Sequence, residues 1–126
     1  MEKKVIISNE IPVIGPYSSA VEANGFVFLS GQIPVNPATG EIIINIREAT
    51  RQVILNIQTV LEEAGLSLSN ILKTTIFLKD INDFSAVNEI YAEYFSEQSP
   101  ARSTVEVSNL PKGAVLEIDV IAVKNR

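Results

Sequence analysis

The spacing of apolar and polar residues divides the chain into segments with strand period and segments with helix period. Residues 4–7 form a short apolar run that ends at polar residues and Pro12. Two further strand-like runs cover Tyr17 to Val21 and Phe26 to Ser30. The Asn24-Gly25 pair between them is typical of a tight hairpin, because both central residues of such a turn adopt positive φ. The first part of the chain is therefore predicted to form strands, two of them joined as a hairpin.

The next segment has the period of an amphipathic helix. Its apolar residues recur every three or four positions; they are Ile46, Ala49, Val53, Ile57, Val60, Leu61 and Ala64. Asn45 and Glu48 stand three residues apart at its start, as in a capping box, and Gly65 is a residue type that ends helices. The other face is polar, so this helix is predicted to pack one side against a sheet.

The period returns to two after this helix, and Leu72 to Lys79 is predicted to be a strand with Leu72 and Thr74 on the same side. A second helix follows, for which Asp80, Asn82 or Asp83 can provide the cap. Its predicted buried face consists of Phe84, Val87, Tyr91, Tyr94 and Phe95.

Two more strands complete the pattern, at Arg102 to Val107 and at Val115 to Val123. The order predicts a single α+β domain over residues 1–126, with a mixed β-sheet and two helices packed on one face. No helix remains for the other sheet face. Because sheets of this size do not leave an apolar face open, we expect that face to meet another subunit.

The composition excludes several kinds of ligand and of catalytic site. The formal net charge is −5 and the longest basic run is Lys3-Lys4, whereas nucleic-acid binding requires clustered Lys and Arg. The chain has no cysteine and no histidine, which excludes disulfides, a cysteine nucleophile, a Ser-His-Asp triad and the usual zinc ligands. No metal is therefore expected. Acid–base chemistry must come from Asp, Glu, Lys, Tyr or water.

The apolar runs are short throughout. Val5 to Ile7 gives way at once to Ser8-Asn9-Glu10, so no signal-peptide core is predicted. No run approaches the roughly 20 apolar residues of a membrane span. The sequence therefore predicts a cytoplasmic protein without membrane contact.

Two charged residues are the main candidates for a functional site. Arg102 begins a strand after Pro100, and a guanidinium there suits a carboxylate or phosphate ligand. Taken alone, such a position is more typical of a surface or interface arginine paired with a carboxylate. Glu117 lies in the apolar run from Val115 to Ile121. Burial there would raise its pKa toward that of a useful general base, unless the side chain only faces solvent on an edge strand.

Weaker signals come from Ser30-Gly31, Tyr17 and Asn88. A glycine that ends a strand exposes backbone groups to a ligand, or is simply part of a turn. Tyr17 could donate a phenolic hydrogen bond or be an ordinary strand tyrosine. Asn88 lies one helical turn after Phe84 on the apolar side, where its amide needs a ligand or a loop as partner.

In order and spacing, several segments resemble the RidA family, and the resemblance covers about Ile11 to Val123. The segments are Ile14-Gly15-Pro16-Tyr17-Ser18, Leu29 to Pro34, Lys73 to Asp80, Val87 to Tyr91, Pro100 to Val107, Leu110-Pro111-Lys112 and Leu116-Glu117-Ile118. The resemblance implies a chorismate-mutase-like fold and a homotrimer with ligand clefts between subunits.

The resemblance also implies roles for individual residues. Arg102 would hold the substrate carboxylate, and Glu117 would position or activate the attacking water. Cleft-lining positions match Tyr17, Ser30, Gly31, Asn88 and Thr104. Threonine at 104 stands where several relatives have cysteine.

The implied activity is that of an enamine/imine deaminase without a cofactor. It would hydrolyse 2-iminobutanoate and 2-iminopropanoate, released by PLP-dependent dehydratases, to 2-keto acids and ammonia. Three alternatives stay open: a non-catalytic trimer that senses small carboxylates, an endoribonuclease or translation inhibitor, and a chaperone-like role. The acidic pI of about 4.7 counts against an RNA substrate.

Overall fold

One mixed sheet of six strands carries the fold in the computed structural model, which describes residues 2–124. The elements are β1 (Lys4–Ile6), β2 (Ala20–Ala23), β3 (Phe26–Gln32), α1 (Ile46–Glu63), β4 (Ile71–Leu78), α2 (Phe84–Tyr94), β5 (Ala101–Glu106) and β6 (Leu116–Val123). The strands lie in the order β1-β2-β3-β6-β4-β5. Only β4 and β5 run parallel, and α2 connects them. The predicted α+β architecture is confirmed.

Local sequence signals explain the turns and the start of α1. Asn24 and Gly25 both have positive φ, at 52° and 82°, and join β2 to β3 as predicted. The Asn45 side-chain oxygen accepts a hydrogen bond of 3.1 Å from the backbone N–H of Glu48, which satisfies one of the free donors of the first helical turn. Gly65 follows α1 with a φ of 75°, a conformation that favours glycine.

The two helices pack on only one of the two faces of the sheet. On one face, α1 packs over β3 and β6, and α2 reaches β4 through a hydrogen bond between Tyr91 and Thr74. Every second residue of β6 is fully buried beneath these helices, from Leu116 to Ala122. The other face, here called the open face, carries Phe26, Phe28 and Val105 at 42–47% exposure. The described residues supply no helix to cover it.

Three details differ from the predicted pattern. The second strand begins at Ala20 rather than at Tyr17, because Gly15, with a φ of 131°, accepts a hydrogen bond from the Tyr17 N–H and forms a turn. An irregularity between Ile71 and Lys73 rotates the strand, so Ile71 is buried and Leu72 is 46% exposed.

The start of α2 is the third difference. Asp80 caps a single 3-10 turn, Ile81–Asp83, by accepting from the N–H of Asn82 at 2.9 Å. The α-helix then begins at Phe84, and its N-cap residue Asp83 makes no side-chain capping bond. Of the three residues predicted to cap this region, Asp80 therefore has the capping role, one turn before the α-helix.

None of the helices formed by residues 2–124 combines the length and apolarity needed to cross a membrane.

Candidate active site

The first candidate region is a cleft on the open face, about 330 Å³ in volume and here called the Glu117 cleft. Its lining residues are Tyr17, Ser30, Gly31, Ile33, Pro111 and Glu117. Glu117 pairs in register with Phe77, which directs its side chain away from the helices. The register of β3 against β6 shifts between Leu29 and Gln32, so Ser30 and Gly31 lie at an interruption of the ladder.

Gly31 is the residue over which the Glu117 carboxylate lies. A Cβ atom built on Gly31 would overlap the Glu117 Oε2 and lie 2.8 Å from its carboxyl carbon, closer than real Cβ atoms come to any neighbour. The φ of Gly31 is outside the left-handed region, so backbone strain does not require the glycine. Its missing side chain leaves the space that the carboxylate occupies.

The electrostatic environment of Glu117 makes its charged form unfavourable. Burial raises the pKa of this carboxyl above its ordinary value, and the nearby Asp119 carboxylate raises it further. Within residues 2–124, Glu117 has no hydrogen bond or salt bridge to a cation. A partly buried carboxyl with a raised pKa is suited to accept a proton from water near neutral pH.

Ser30 and Tyr17 form the rim of this cleft. The Ser30 hydroxyl donates to the Ser18 carbonyl at 2.6 Å, and the Ser30 N–H donates to the Ser19 carbonyl at 3.0 Å. These bonds hold the loop that carries Tyr17 beside β3. Tyr17 itself is 53% exposed, so its hydroxyl is free to meet a ligand that enters from solvent.

The second candidate region lies on the helix-covered side, between β5 and α2. This cleft of about 380 Å³, here called the Arg102 cleft, is lined by Asn88, Tyr91, Ala92, Phe95, Ser99, Pro100 and Arg102. Arg102 pairs in register with Thr74, so its side chain points toward α2. The Arg102 Cζ lies 4.9 Å from the Tyr91 ring centroid and 5.4 Å from that of Phe84. Two aromatic rings therefore support the guanidinium.

Arg102 differs from the other arginines that the structure describes. Arg47 pairs with Glu89 at 2.7 Å, and Arg51 pairs with Glu93 at 2.6 Å. Arg102 has no carboxylate partner among residues 2–124. Its hydrogen-bonding fork is thus free to bind an anion from outside the chain.

Two polar atoms near Arg102 also lack partners. Asn88 Oδ1 and Thr104 Oγ1 are buried, and neither has a hydrogen bond within the described part of the chain. Thr104 follows Arg102 on the same face of β5, and Asn88 lies on α2 between Phe84 and Tyr91. Because buried polar groups are nearly always bonded, these atoms mark places where a ligand or water completes the site.

The seven residues predicted for the site therefore fall into two groups. Tyr17, Ser30, Gly31 and Glu117 line the Glu117 cleft. Asn88 and Arg102 line the Arg102 cleft, and Thr104 lies two residues after Arg102 on the same face of β5. Strand register separates the groups: Arg102 shares a face with Thr74, which is buried beneath α2, and Glu117 is on the opposite face. One chain does not bring Arg102 and Glu117 to the same ligand.

Sequence reasoning missed the aromatic support of Arg102. The spacing of Phe84 and Tyr91 predicts only that they belong to the buried face of α2, yet both rings also lie against the guanidinium. Their positions seven residues apart, on either side of Asn88, are the signal that could have indicated this role. A larger cleft of about 430 Å³ between Leu68 and Pro100 contains none of the predicted site residues.

The donor set offers little to a metal ion. In residues 2–124, no group of three or more His, Cys, Asp or Glu side chains is close enough to hold one.

Comparisons with known proteins place this geometry in context. The family model described as Endoribonuclease L-PSP matches residues 7–124. A RutC family protein of Pyrococcus horikoshii is 53% identical over 124 residues, which cover 97% of this chain and 98% of the relative.

Solved structures of related proteins have the same fold as this chain. A Rid family protein of Yersinia pestis is 54% identical, with a TM-score of 0.93 over 97% of this chain and 99% of the other. Escherichia coli TdcF, named as a candidate reactive intermediate deaminase, is 43% identical over 98% of both sequences. A crystal structure of TdcF with bound serine superimposes with a TM-score of 0.92, covering 97% of this chain and 99% of the other.

Proposed function

The chain belongs to the RidA family, described also as the endoribonuclease L-PSP family, and from this premise we propose that it is an enamine/imine deaminase. Its substrates are the 2-imino acids that PLP-dependent dehydratases release, 2-iminobutanoate and 2-iminopropanoate. It hydrolyses them to 2-keto acids and ammonia. The reaction needs a group that holds a carboxylate and a group that activates water.

The observation that carries the proposal is the state of Arg102. It is the one described arginine without a carboxylate partner, and it lines a cleft together with Asn88, whose buried Oδ1 has no hydrogen-bond partner among the described residues. A substrate carboxylate accepts two parallel hydrogen bonds from such a fork. That contact fixes the C=N carbon in one orientation, which converts a random encounter with water into a positioned one.

Glu117 supplies the second requirement. Its carboxylate accepts a proton from a water whose oxygen bonds to the C=N carbon, and it then returns that proton to the imine nitrogen. The resulting carbinolamine loses ammonia when the C–N bond breaks and the C=O bond forms. A raised pKa brings Glu117 nearer to the working pH than an ordinary glutamate, so that it can both accept and return the proton.

Because the two groups are on opposite faces of the sheet, the proposed catalytic cleft is formed between subunits. We assign the protein to a homotrimer in which Arg102 of one subunit faces Glu117 of the next. The exposed Phe26, Phe28 and Val105 on the open face support this assembly, since burial against another subunit removes their apolar surface from water. Three equivalent clefts follow from the threefold symmetry.

The relatives add support from ligand chemistry. TdcF is named as a candidate reactive intermediate deaminase, and its structure holds serine, which carries a carboxylate and a nitrogen on the same carbon, Cα. A 2-imino acid has the same pair of groups in the same positions. A site that accepts serine in a relative 42% identical is therefore of suitable size and polarity for the proposed substrate.

The test is a competition assay with a threonine dehydratase that generates 2-iminobutanoate in the presence of semicarbazide. Wild type is expected to suppress semicarbazone formation. Arg102→Ala is expected to reduce kcat/KM by about 10²- to 10³-fold through loss of the charged carboxylate contact. Glu117→Gln is expected to lose about 10²-fold or more through loss of the base. Arg47→Ala, which removes a surface-paired arginine, is the matched control and should retain wild-type activity.

Each outcome discriminates between functions. Suppression by wild type and failure by both variants supports the deaminase. A wild type that binds 2-oxobutanoate but never suppresses semicarbazone formation contradicts it and favours a carboxylate sensor. Cleavage of RNA that survives Arg102→Ala would instead favour the ribonuclease named in the family description, against which the net charge of −5 argues.

A further inference from the structure

Arg102 is held in place without any carboxylate, and the structure shows which residues replace one. The guanidinium stacks 4.9 Å from the centroid of Tyr91, which is only 6% exposed, and 5.4 Å from that of Phe84, which is much more exposed. An arginine paired with a carboxylate would be neutralised before a substrate arrived. Aromatic faces attract the cation but leave its N–H groups free for a second partner.

The Tyr91 ring is itself fixed at both ends. Its hydroxyl forms a buried hydrogen bond of 2.9 Å with the hydroxyl of Thr74, and its ring contacts Phe95 with centroids 4.5 Å apart. Thr74 pairs in register with Arg102 on the adjacent strand. The hydrogen bond therefore anchors the ring beside the strand position from which the guanidinium extends.

We propose that Tyr91 is a positioning residue for Arg102, with Thr74 as its anchor, so that the guanidinium is presented to the substrate carboxylate in one orientation. The inference rests on the proposed function only in naming that carboxylate. Burial raises the pKa of the Tyr91 hydroxyl, and the hydrogen bond with Thr74 and the charge of Arg102 only partly offset this. The hydroxyl is thus neutral at physiological pH and remains available to Thr74.

The test compares Tyr91→Leu, which removes the aromatic face, with Tyr91→Phe, which keeps it. Tyr91→Leu is expected to raise KM for the imino acid by about 3- to 30-fold with little change in kcat, since the lost contact supports binding of the carboxylate. Tyr91→Phe keeps the aromatic face but loses the hydrogen bond to Thr74, so its KM should rise by no more than about 2- to 3-fold, and it should lose thermal stability. Tyr94→Leu is the matched control on the same helix, because Tyr94 does not line the Arg102 cleft.

A second pair of variants covers the case in which Tyr91→Leu does not fold. Thr74→Val removes the anchoring hydroxyl at nearly constant volume, and Thr74→Ser keeps it. Thr74→Val is expected to raise KM by about 2- to 3-fold, within the range of a single lost hydrogen bond, and Thr74→Ser to restore it. Equal KM values for these two variants, or for Tyr91→Leu and wild type, would overturn the proposal.

A spectroscopic measurement separates this inference from the proposed activity. In wild type and in Tyr91→Phe, the ring current should shift the NMR resonance of the Arg102 Nε–H proton. This resonance should be absent from Arg102→Lys, which identifies the signal. In the Leu variant the shift should be reduced. If wild type hydrolyses no imine yet shows this pattern, the deaminase proposal fails and the positioning role stands. If the resonance is unchanged in Tyr91→Leu, the positioning role is overturned, whatever the activity of the wild type.

Discussion

The Glu117 cleft and the Arg102 cleft each present one charged group, but the fold prepares the two groups in different ways. Glu117 lies over a glycine, near Asp119 and without a cation, and its pKa is raised. Arg102 lies between aromatic rings and without an anion. The Glu117 carboxyl is thus held where its charge is unfavourable, whereas the Arg102 guanidinium is held where its charge is stabilised and remains unpaired.

The comparison explains why the two groups lie on opposite faces. In direct contact, without a substrate between them, Arg102 and Glu117 would form a salt bridge, which would lower the pKa of the carboxyl and occupy the guanidinium. Strand register prevents that contact inside the chain. Each group therefore keeps its own reactivity until subunits meet, and a substrate carboxylate can then compete for the arginine.

The largest expected effect comes from mixing subunits. Arg102→Ala and Glu117→Gln proteins are each expected to be inactive as homotrimers. Refolded together at equal amounts, they should regain about one quarter of wild-type activity, because one in four clefts then receives both intact groups from neighbouring subunits. The imine assay measures this, and native mass spectrometry verifies the mixed trimers. Activity that stays at the level of the separate variants would show that the groups do not meet between subunits.

A smaller but still large loss is expected from Gly31→Ala. The new Cβ would overlap the Glu117 carboxylate and displace it, and a displaced base costs roughly 10- to 100-fold in kcat. Glu117→Asp in the Gly31→Ala background shortens the displaced side chain. We expect the double variant to lose less activity than the product of the two single losses, as for residues in contact. Strictly multiplicative losses would contradict the contact.

The smallest expected effect is on stability and concerns Glu117 alone. The pKa of Glu117 is raised in the folded state. Its favourable contribution to the free energy of unfolding is therefore fully present below the ordinary glutamate pKa of about 4.3. That contribution is lost as the pH rises through the raised pKa. At pH 7 the ionised carboxylate therefore opposes folding. Glu117→Gln is expected to raise Tm by roughly 1–3 °C at pH 7 and to match wild type below about pH 4.

The matched control for this pH series is Glu62→Gln, on the exposed side of α1, which should follow wild type throughout. A Glu117→Gln protein that is less stable than wild type at pH 7 would mean that the carboxylate has a favourable partner in the assembled protein.

Periodicity was sufficient to predict most of the fold. The Asn45 cap, the Asn24-Gly25 hairpin and the face shared by Arg102 and Thr104 all follow from local rules and are present in the structure. The exposure of Leu72 could not be predicted, because the irregularity beside it depends on the pairing of β4 with β6. Local sequence also gave no sign that the Gly15 turn delays the start of β2 until Ala20.

The candidate site was harder to predict than the fold. The sequence indicated the residue types of both clefts, but the separation of Arg102 from Glu117 depends on how β4 pairs with β5 and β6, which no local pattern specifies. The support of Arg102 by Tyr91 likewise requires the position of α2 over the sheet. Long-range register, rather than propensity, decides which side chains share a cleft.

The lining of the two clefts has a chemical consequence for the proposed reaction. None of the residues that line the Glu117 cleft or the Arg102 cleft is a lysine. An imine that meets a lysine amine exchanges its nitrogen for that of the enzyme and becomes a Schiff base. In the proposed reaction we therefore expect the substrate carbon to pass directly to water without a covalent link to these clefts, so borohydride added during turnover should leave the enzyme unlabelled and active.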